Sequence, residues 1–311
     1  MYKTIIVPLD GSTFAERAIA TAAAIAERSA AELVLVRVRE SYAYESTDYS
    51  RFDALSRRDQ EEYLAHTAER VETIYGLQAE RTLLEGAVAS AICDFALGME
   101  APLIVLSTHG RTGFSRFWLG SVADAIVRHA TAPVLMLRHQ SGDGVDVLPA
   151  AHRFAHVLVP LDGSDAAEVV LPQAVALADA FRARLTLLRV VAPIMAPVAL
   201  YAVPYAAPLE QEEETLNIRL EGAAGYVNGV ASHILADQPA LGVDTDVRVA
   251  ESPATAILDA TKAHDADTVA LATHGRGLSR LVIASVADKV LRGGPDAVLV
   301  VRSEGTTEQR G

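Results

Sequence analysis

Apolar residues along the chain fall into two alternating kinds of segment. Short runs of Val, Ile and Leu, nearly unbroken by polar residues, occupy Thr4–Leu9, Glu32–Val38, Ala79–Leu84, Leu103–Ser107 and Pro133–Arg138. Strands covered on both faces of a parallel sheet read this way, because neither face meets water. Between them lie longer stretches of helical character, among them the Ala-rich Phe14–Arg28 and Ala87–Leu97. The same succession then begins again with His156–Leu161, Arg184–Val191, Asp244–Val249, Thr268–Ala272 and Ala297–Arg302. Strand, helix and strand in repetition predict an α/β fold with right-handed crossovers and helices on both faces of the sheet.

The repetition is also literal. Val7-Pro8-Leu9-Asp10-Gly11-Ser12 returns unchanged as Val159-Pro160-Leu161-Asp162-Gly163-Ser164. Thr108-His109-Gly110-Arg111 returns as Thr273-His274-Gly275-Arg276, and Ser121-Val122-Ala123-Asp124 as Ser285-Val286-Ala287-Asp288. A unit this long is a duplicated domain, since solenoid repeats recur at roughly 20–50 residues. We place one domain at 1–140, a linker at 141–153 and the second domain at 154–304, with a polar tail after it. A chain of 311 residues gives each half enough length to bury its own core.

The halves differ most after their second strands. In the first half a polar connection runs from Ser41 to about Glu61; in the second, Val190–Leu209 has no charged residue. That run of 20 residues could span a bilayer by length, but Pro193, Pro197, Pro204 and Pro208 would each break a helix. It reads as a strand end followed by an apolar loop, with no membrane partner.

Composition narrows the function. With 27 basic and 40 acidic residues the net charge is -13, which argues against general binding to nucleic acid or anionic membranes. Cys93 is the only cysteine, so no intramolecular disulfide forms. This fits a reducing, cytoplasmic setting, and no signal-peptide pattern opens the chain.

The repeated segments share a position, each following a hydrophobic strand: Asp10-Gly11-Ser12 the first and Thr108-His109-Gly110 the fourth. Ligands of open α/β sheets bind at the carboxyl ends of strands where the chain order reverses. After Gly110 come Arg111, Gly113, and then Gly120-Ser121-Val122. Glycines let backbone N–H groups approach a phosphate, and Ser121 stands where a helix should begin. The competing reading is a plain turn with a serine cap. No Walker Gly-Lys-Ser, Gly-x-Ser-x-Gly or His-Glu-x-x-His motif occurs. His109 and His274 could serve acid–base chemistry or bond to their own loops. Asp10 and Asp162 could help hold Mg²⁺ or a ribose, or simply cap their turns.

On these motifs nearly the whole chain resembles a tandem universal stress protein of the nucleotide-binding branch, one domain per half. That branch carries Gly, two residues, Gly, nine residues, then Gly-Ser or Gly-Thr. Here Gly110, the nine residues after it and Gly120-Ser121 match, while Ser107 replaces the leading glycine. The resemblance implies a five-stranded parallel sheet of order 3-2-1-4-5 in each half. It also implies ATP in the first half, bounded by Pro8, Asp10, Val38 beside adenine, Ser107, His109, Gly110, Arg111, Gly113, Gly120, Ser121 and Val122. The second half keeps Pro160, Asp162 and Val190, with Gly275, Arg276 and Ser285. Ala272 and Ala284 replace glycines there, and only eight residues separate Gly275 from Ala284. Its site should be weaker, limited to AMP or ADP, or empty.

The expected function is a stress-response protein acting through adenine-nucleotide occupancy, with at most slow hydrolysis. A nucleotide-independent scaffold and a nucleotidyl-transfer enzyme are the alternatives. The last strands of the two halves, apolar and at sheet edges, should pair antiparallel about a pseudo-twofold axis. Further association into a homodimer is also expected; the sequence does not name a downstream partner.

Overall fold

A computed structural model describes residues 2–39, 47–109, 120–139, 150–194, 209–274 and 280–303, with the side chains of 47–55, 109, 139, 209–212, 274 and 280–285 left aside. The first half runs β1 (Thr4–Pro8), α1 (Thr13–Glu16), α2 (Ala18–Ser29), β2 (Glu32–Arg39), α3 (Thr47–Tyr75), β3 (Ala79–Glu85), α4 (Val88–Leu97), β4 (Pro102–His109), α5 (Ser121–His129) and β5 (Val134–His139). The second runs β6 (His156–Leu161), α6 (Asp165–Glu168), α7 (Leu171–Phe181), β7 (Arg184–Val191), α8 (Leu209–Asp237), β8 (Val243–Val249), α9 (Pro253–Ala263), β9 (Thr268–His274), α10 (Arg280–Gly293) and β10 (Ala297–Ser303).

The strands form a single 10-stranded sheet in the order β3-β2-β1-β4-β5-β10-β9-β6-β7-β8. Each half has the order 3-2-1-4-5 with parallel pairing throughout. The halves meet where β5 and β10 pair antiparallel from Val134↔Val300 to Leu137↔Ala297. The expected pseudo-twofold contact between last strands is therefore present.

Continuous apolar runs become two-sided burial. Ile5, Val7, Leu33 and Leu35 enter the cluster under α2 and α3, while Ile6, Val34 and Val36 enter the one under α4 and α5. Alternation between faces is the period of a strand, and here both faces are apolar. The outermost strands β3 and β8 are the exception. Each reads as partly exposed along its length and carries charges, such as Glu80 and Arg81 or Asp244 and Arg248. Charged edges discourage sheet extension by another chain.

Two readings change. The polar connection from Ser41 is helical from Thr47 onward, as the first part of the 29-residue α3. Among its described side chains, Leu64, Thr67 and Val71 are buried, and their spacing marks one helical face. The segment read as one helix over Phe14–Arg28 is two, divided at Arg17, whose N–H bonds to the Phe14 carbonyl at 3.2 Å. The uncharged run keeps β7 to Val191, and 195–208 lie outside the described residues. Among the described residues no helix is long and apolar enough to cross a membrane.

The seam between the halves is tied by reciprocal contacts. Arg138, at the end of β5, donates to the Gly294 carbonyl at 2.7 Å and to the Val290 carbonyl at 3.5 Å, at the end of α10. Its copy Arg302, at the end of β10, donates to the His129 carbonyl at 3.2 Å, at the end of α5. Helix C-termini leave carbonyls without intrahelical partners and favour cations. Each half thus supplies the arginine that closes the other half's last helix. On the opposite face Arg28 stacks over Phe181 at 4.6 Å and donates to the Ala180 carbonyl. We expect Arg138→Ala and Arg302→Ala each to lower stability by about 1–2 kcal/mol, Arg302 less because it makes one bond, in an exposed setting, where Arg138 makes part-buried ones. Denaturant titration of both variants checks this, and unchanged midpoints would remove the caps from the account.

A buried histidine gives the second half a pH dependence. His156 Nδ1 lies 2.9 Å from the His264 carbonyl and Nε2 2.7 Å from Thr186 Oγ1. The neutral ring satisfies both, with Nδ1–H donating and Nε2 accepting from the hydroxyl. Burial, with the nearby positive charge of Arg184, lowers its pKa below 6.5. Acidification then protonates the unfolded chain first, so stability is full above pH 6.5 and falls as the pH drops below it. The slope from one such group is at most about 1.4 kcal/mol per pH unit. Urea midpoints at pH 7.5 and 5.5 should differ in that direction, and His156→Gln should flatten the difference.

Candidate functional site

The first and fourth strands of each half separate at their carboxyl ends. β1 pairs with β4 only through Ile6↔Ile104, although β1 continues against β2 to Pro8↔Val36 and β4 against β5 to His109↔His139. In the second half β6 pairs with β9 only at Val157↔Thr268 and Leu158↔Val269, while β6 follows β7 to Leu161↔Arg189. A cleft opens where the ladder stops, at the strand-order reversal of each half.

One wall is the Asp-Gly-Ser turn. Asp10 Oδ1 accepts from Ser12 N at 2.8 Å and Ser12 Oγ at 2.6 Å, and Ser12 Oγ accepts from Ala15 N at 3.1 Å. Asp162 accepts from Ser164 N at 3.0 Å and from Ser164 Oγ, which accepts from Ala167 N at 3.2 Å. Turn capping is thus a real role of both aspartates, occupying one carboxylate oxygen. Oδ2 of each makes no hydrogen bond among the described residues. Gly11 and Gly163 sit at φ +88° and +83°, which a side chain would resist.

The other wall begins at β4. Ser107 Oγ is buried and has no hydrogen-bond partner among the described residues. Thr108 Oγ1 donates to the Leu137 carbonyl at 3.3 Å. Across the loop, Gly120 at φ +82° is the residue before α5, and no side chain caps that helix. Ser121 is therefore the first residue of α5, at the helix start expected for it, and the competing reading of a serine cap does not hold. The serine-capped helices α1, α6 and α9 make the contrast. Among the described residues no side chain caps the leading N–H groups of α5, and a Cβ on Gly120 would meet nothing within 4 Å. Ser121 is exposed, and Val122 is 40% exposed.

Val38 and Val190 lie on the same face of the sheet as α5 and α10, partly buried against that core, whereas Ala272 packs on the opposite face. Pro8 and Pro160 are half-buried at the strand ends. Gly110, Arg111, Gly113, Gly275 and Arg276 lie outside the described residues, as do the side chains of His109, His274 and Ser285. Among the described residues no group of acidic, histidine or cysteine side chains could hold a metal. Burial raises the pKa of Cys93, which keeps it a thiol.

The structure adds residues that sequence reasoning passed over. Arg37, one position before Val38, lies over the Tyr63 ring at 4.7 Å and against Gly11. Tyr63 Oη donates to Glu16 Oε1 at 2.9 Å, and Arg70 donates to Glu16 Oε2 at 2.8 Å. Burial and then the Glu16 carboxylate push the Tyr63 phenol well above its usual range, so it remains a donor. In the second half Tyr226 donates to Glu168 at 2.7 Å, and Arg189 donates to the Leu161 carbonyl at 3.4 Å. Arg37 and Arg189 were visible as equal positions of the repeat, Arg-Val after two aliphatic residues. The tyrosines lie on diverged helices and were not.

Sheet order, early-ending ladders and shared turns define a duplicated, doubly wound α/β protein whose first and fourth strands separate at the carboxyl edge of each half. The chain belongs to the universal stress protein family, whose model matches residues 1–138 and 153–302. A universal stress protein of Methanocaldococcus jannaschii is 31% identical over 142 residues, which cover 44% of this chain and 83% of that protein. A universal stress protein from Archaeoglobus fulgidus DSM 4304 shares the fold over 96% of this chain and 98% of its own, with a TM-score of 0.67 at 19% identity. Another solved universal stress protein, 23% identical and covering 44% of this chain and 97% of its own with a TM-score of 0.36, is in complex with cAMP.

Proposed function

We propose that the protein binds an adenine nucleotide, ATP in the first half, in the cleft between β1 and β4, and acts in the stress response through that occupancy. The observation that carries this is the early end of the β1–β4 ladder, between a rigid Asp-Gly-Ser turn and an uncapped helix start. Helix N-termini with free N–H groups favour phosphate oxygens. Among the described residues nothing fills the space beside Gly120, which leaves room for a phosphate, and the Ser107 hydroxyl has no partner and offers a ribose or phosphate contact. Asp10 Oδ2 remains for a ribose hydroxyl or an accompanying Mg²⁺. Phosphates then lie toward Gly110, Gly113, Gly120 and Ser121, and adenine toward Val38. A homodimer of the whole chain belongs to the same proposal, formed through helix faces because the sheet edges are charged.

Mass spectrometry of small molecules released from the heated protein, followed by calorimetry with ATP, tests the reading. Gly120→Val should cut ATP affinity at least tenfold with the unfolding midpoint lowered by no more than about 1–2 kcal/mol, the cost of a side chain at positive φ. ATP affinity that survives in a folded Gly120→Val protein would rule the assignment out and favour the nucleotide-independent scaffold.

The second cleft should bind more weakly. The segment between Gly275 and Ala284 is one residue shorter, and Ala284, where the first half has Gly120, lies within α10 rather than before its first turn. Loss of one charge-assisted contact, about 1.5–3 kcal/mol, weakens binding tenfold or more. Calorimetry should resolve one tight and one weak ATP site; two equal sites would show that the shorter loop compensates.

A further inference from the structure

The two clefts agree at one wall and part at the other. Their ladders stop at equivalent pairs, Ile6↔Ile104 and Leu158↔Val269. The Asp162 turn repeats the hydrogen bonds of the Asp10 turn, and its Oδ2 again makes none among the described residues. Val190, like Val38, is partly buried on the face of the sheet that carries the cleft helix. Of the features assigned to a base and a ribose in the first cleft, only the Ser107 hydroxyl is missing from the second, where Ala272 stands. The helices differ more. Helix α5 begins at Ser121, behind Gly120 at φ +82°. Helix α10 begins at Arg280, five residues ahead of Ser285, the counterpart of Ser121.

The additional residues lie at the cleft end of α10. Its far end is held as that of α5 is held, by Arg138 on the Gly294 carbonyl where Arg302 takes that of His129. The helix therefore extends the other way, toward its own cleft, by about 7.5 Å, five times the helical rise per residue. The N–H groups that a helix leaves without intrahelical partners move with it, to residues 280–283. Those of Ala284 and Ser285 enter the helical ladder, and the backbone of α10 runs where phosphates would approach Gly120 and Ser121 in the first half. A phosphate at that point meets no free N–H of the helix, while Asp162 and a net charge of -13 oppose it. We propose that the second cleft takes an unphosphorylated adenine nucleoside, its base beside Val190 and a ribose hydroxyl on Asp162 Oδ2. It ranks adenosine above AMP and AMP above ATP, the reverse of the first cleft. This inference rests on the nucleotide reading of the first cleft, from which the base and ribose positions are carried over.

Calorimetry on the full chain tests the proposal. ATP is added first, at a concentration that fills the tight site and leaves the other largely open, and adenosine or AMP is then titrated into the loaded protein. Adenosine should bind at one site without displacing ATP, about tenfold more tightly than AMP, the equivalent of one unmatched polar group. Asp162→Asn keeps an oxygen to accept from Ser164 but loses the second acceptor, and should weaken adenosine binding about tenfold. AMP bound to the loaded protein as tightly as adenosine, or more tightly, overturns the inference. So does adenosine that fails to bind or only displaces ATP, and so does an adenosine affinity unchanged in Asp162→Asn. In each of these cases the tight ATP site remains, and with it the reading of the first cleft. Wild-type protein without a tight ATP site overturns the nucleotide reading and this inference together. Should Asp162→Asn fail to fold, the order of adenosine and AMP in the wild-type protein decides the matter.

Discussion

The antiparallel ladder between β5 and β10 is the constraint on which the rest of the molecule depends. Each half alone would end its sheet in a strand of almost entirely buried residues, Val134 to Leu137 in one and Ala297 to Val301 in the other. Such an edge pairs with whatever strand it meets. Joining the two within one chain removes both edges at once and leaves β3 and β8, which carry charge, as the only ends of the sheet. The duplication is thus built into the stability of the fold, and neither half has a surface designed to face water where the other now lies.

Antiparallel pairing also decides where the clefts lie. Strands within a half are parallel, so reversing direction at the seam sends the carboxyl ends of the two halves to opposite edges of the sheet. Helix α5 starts at its own cleft and runs back to the edge at which the second half's strands end, where Arg302 receives its last carbonyl. Helix α10 meets Arg138 in the same way. Between them Arg128 is held charged by Asp124 and then by Asp288, and Arg292 by Asp288 and then by Asp124. The two cleft helices are therefore fixed at their far ends by the opposite half, and their free ends are the ones that face the clefts.

Much of this was legible in the amino-acid sequence, for identifiable reasons. Eight nearly unbroken apolar runs read as covered strands, and the repetition of the whole series with the same loops implied the doubled sheet and the contact at its last strands. Asp10, Gly11 and Ser12 could be placed because the turn needs those residue types and recurs without change. The start of α3 was not legible, since charged and polar residues interrupt its first turns from Thr47 to Arg58 and leave no clear apolar stripe in the sequence. Ser121 could be placed at a helix start, which is where α5 begins; the alternative of a serine cap fails because Gly120, free to adopt positive φ, turns the chain into the helix. The Glu16–Tyr63–Arg37 cluster escaped notice because its members are 47 residues and 26 residues apart in a region whose helices have diverged.

What the duplication has kept and lost follows from geometry. The β1 turn is retained in both halves down to its hydrogen bonds, because Asp, Gly and Ser there serve the fold as well as the cleft. Gly11 illustrates how tightly the two are joined: its φ excludes other residues, and the space a side chain would take is filled by Arg37. Gly163 needs the same φ but stands farther from Arg189, 3.6 Å against 2.7 Å, because Arg189 leans back to the Leu161 carbonyl. The wall on the α5 side is kept less fully. Gly110 returns as Gly275, but Gly120, which turns the chain into α5 at positive φ, gives way to Ala284, which lies inside α10. The first cleft therefore keeps a glycine at the helix start where a phosphate would approach the backbone, and its copy does not.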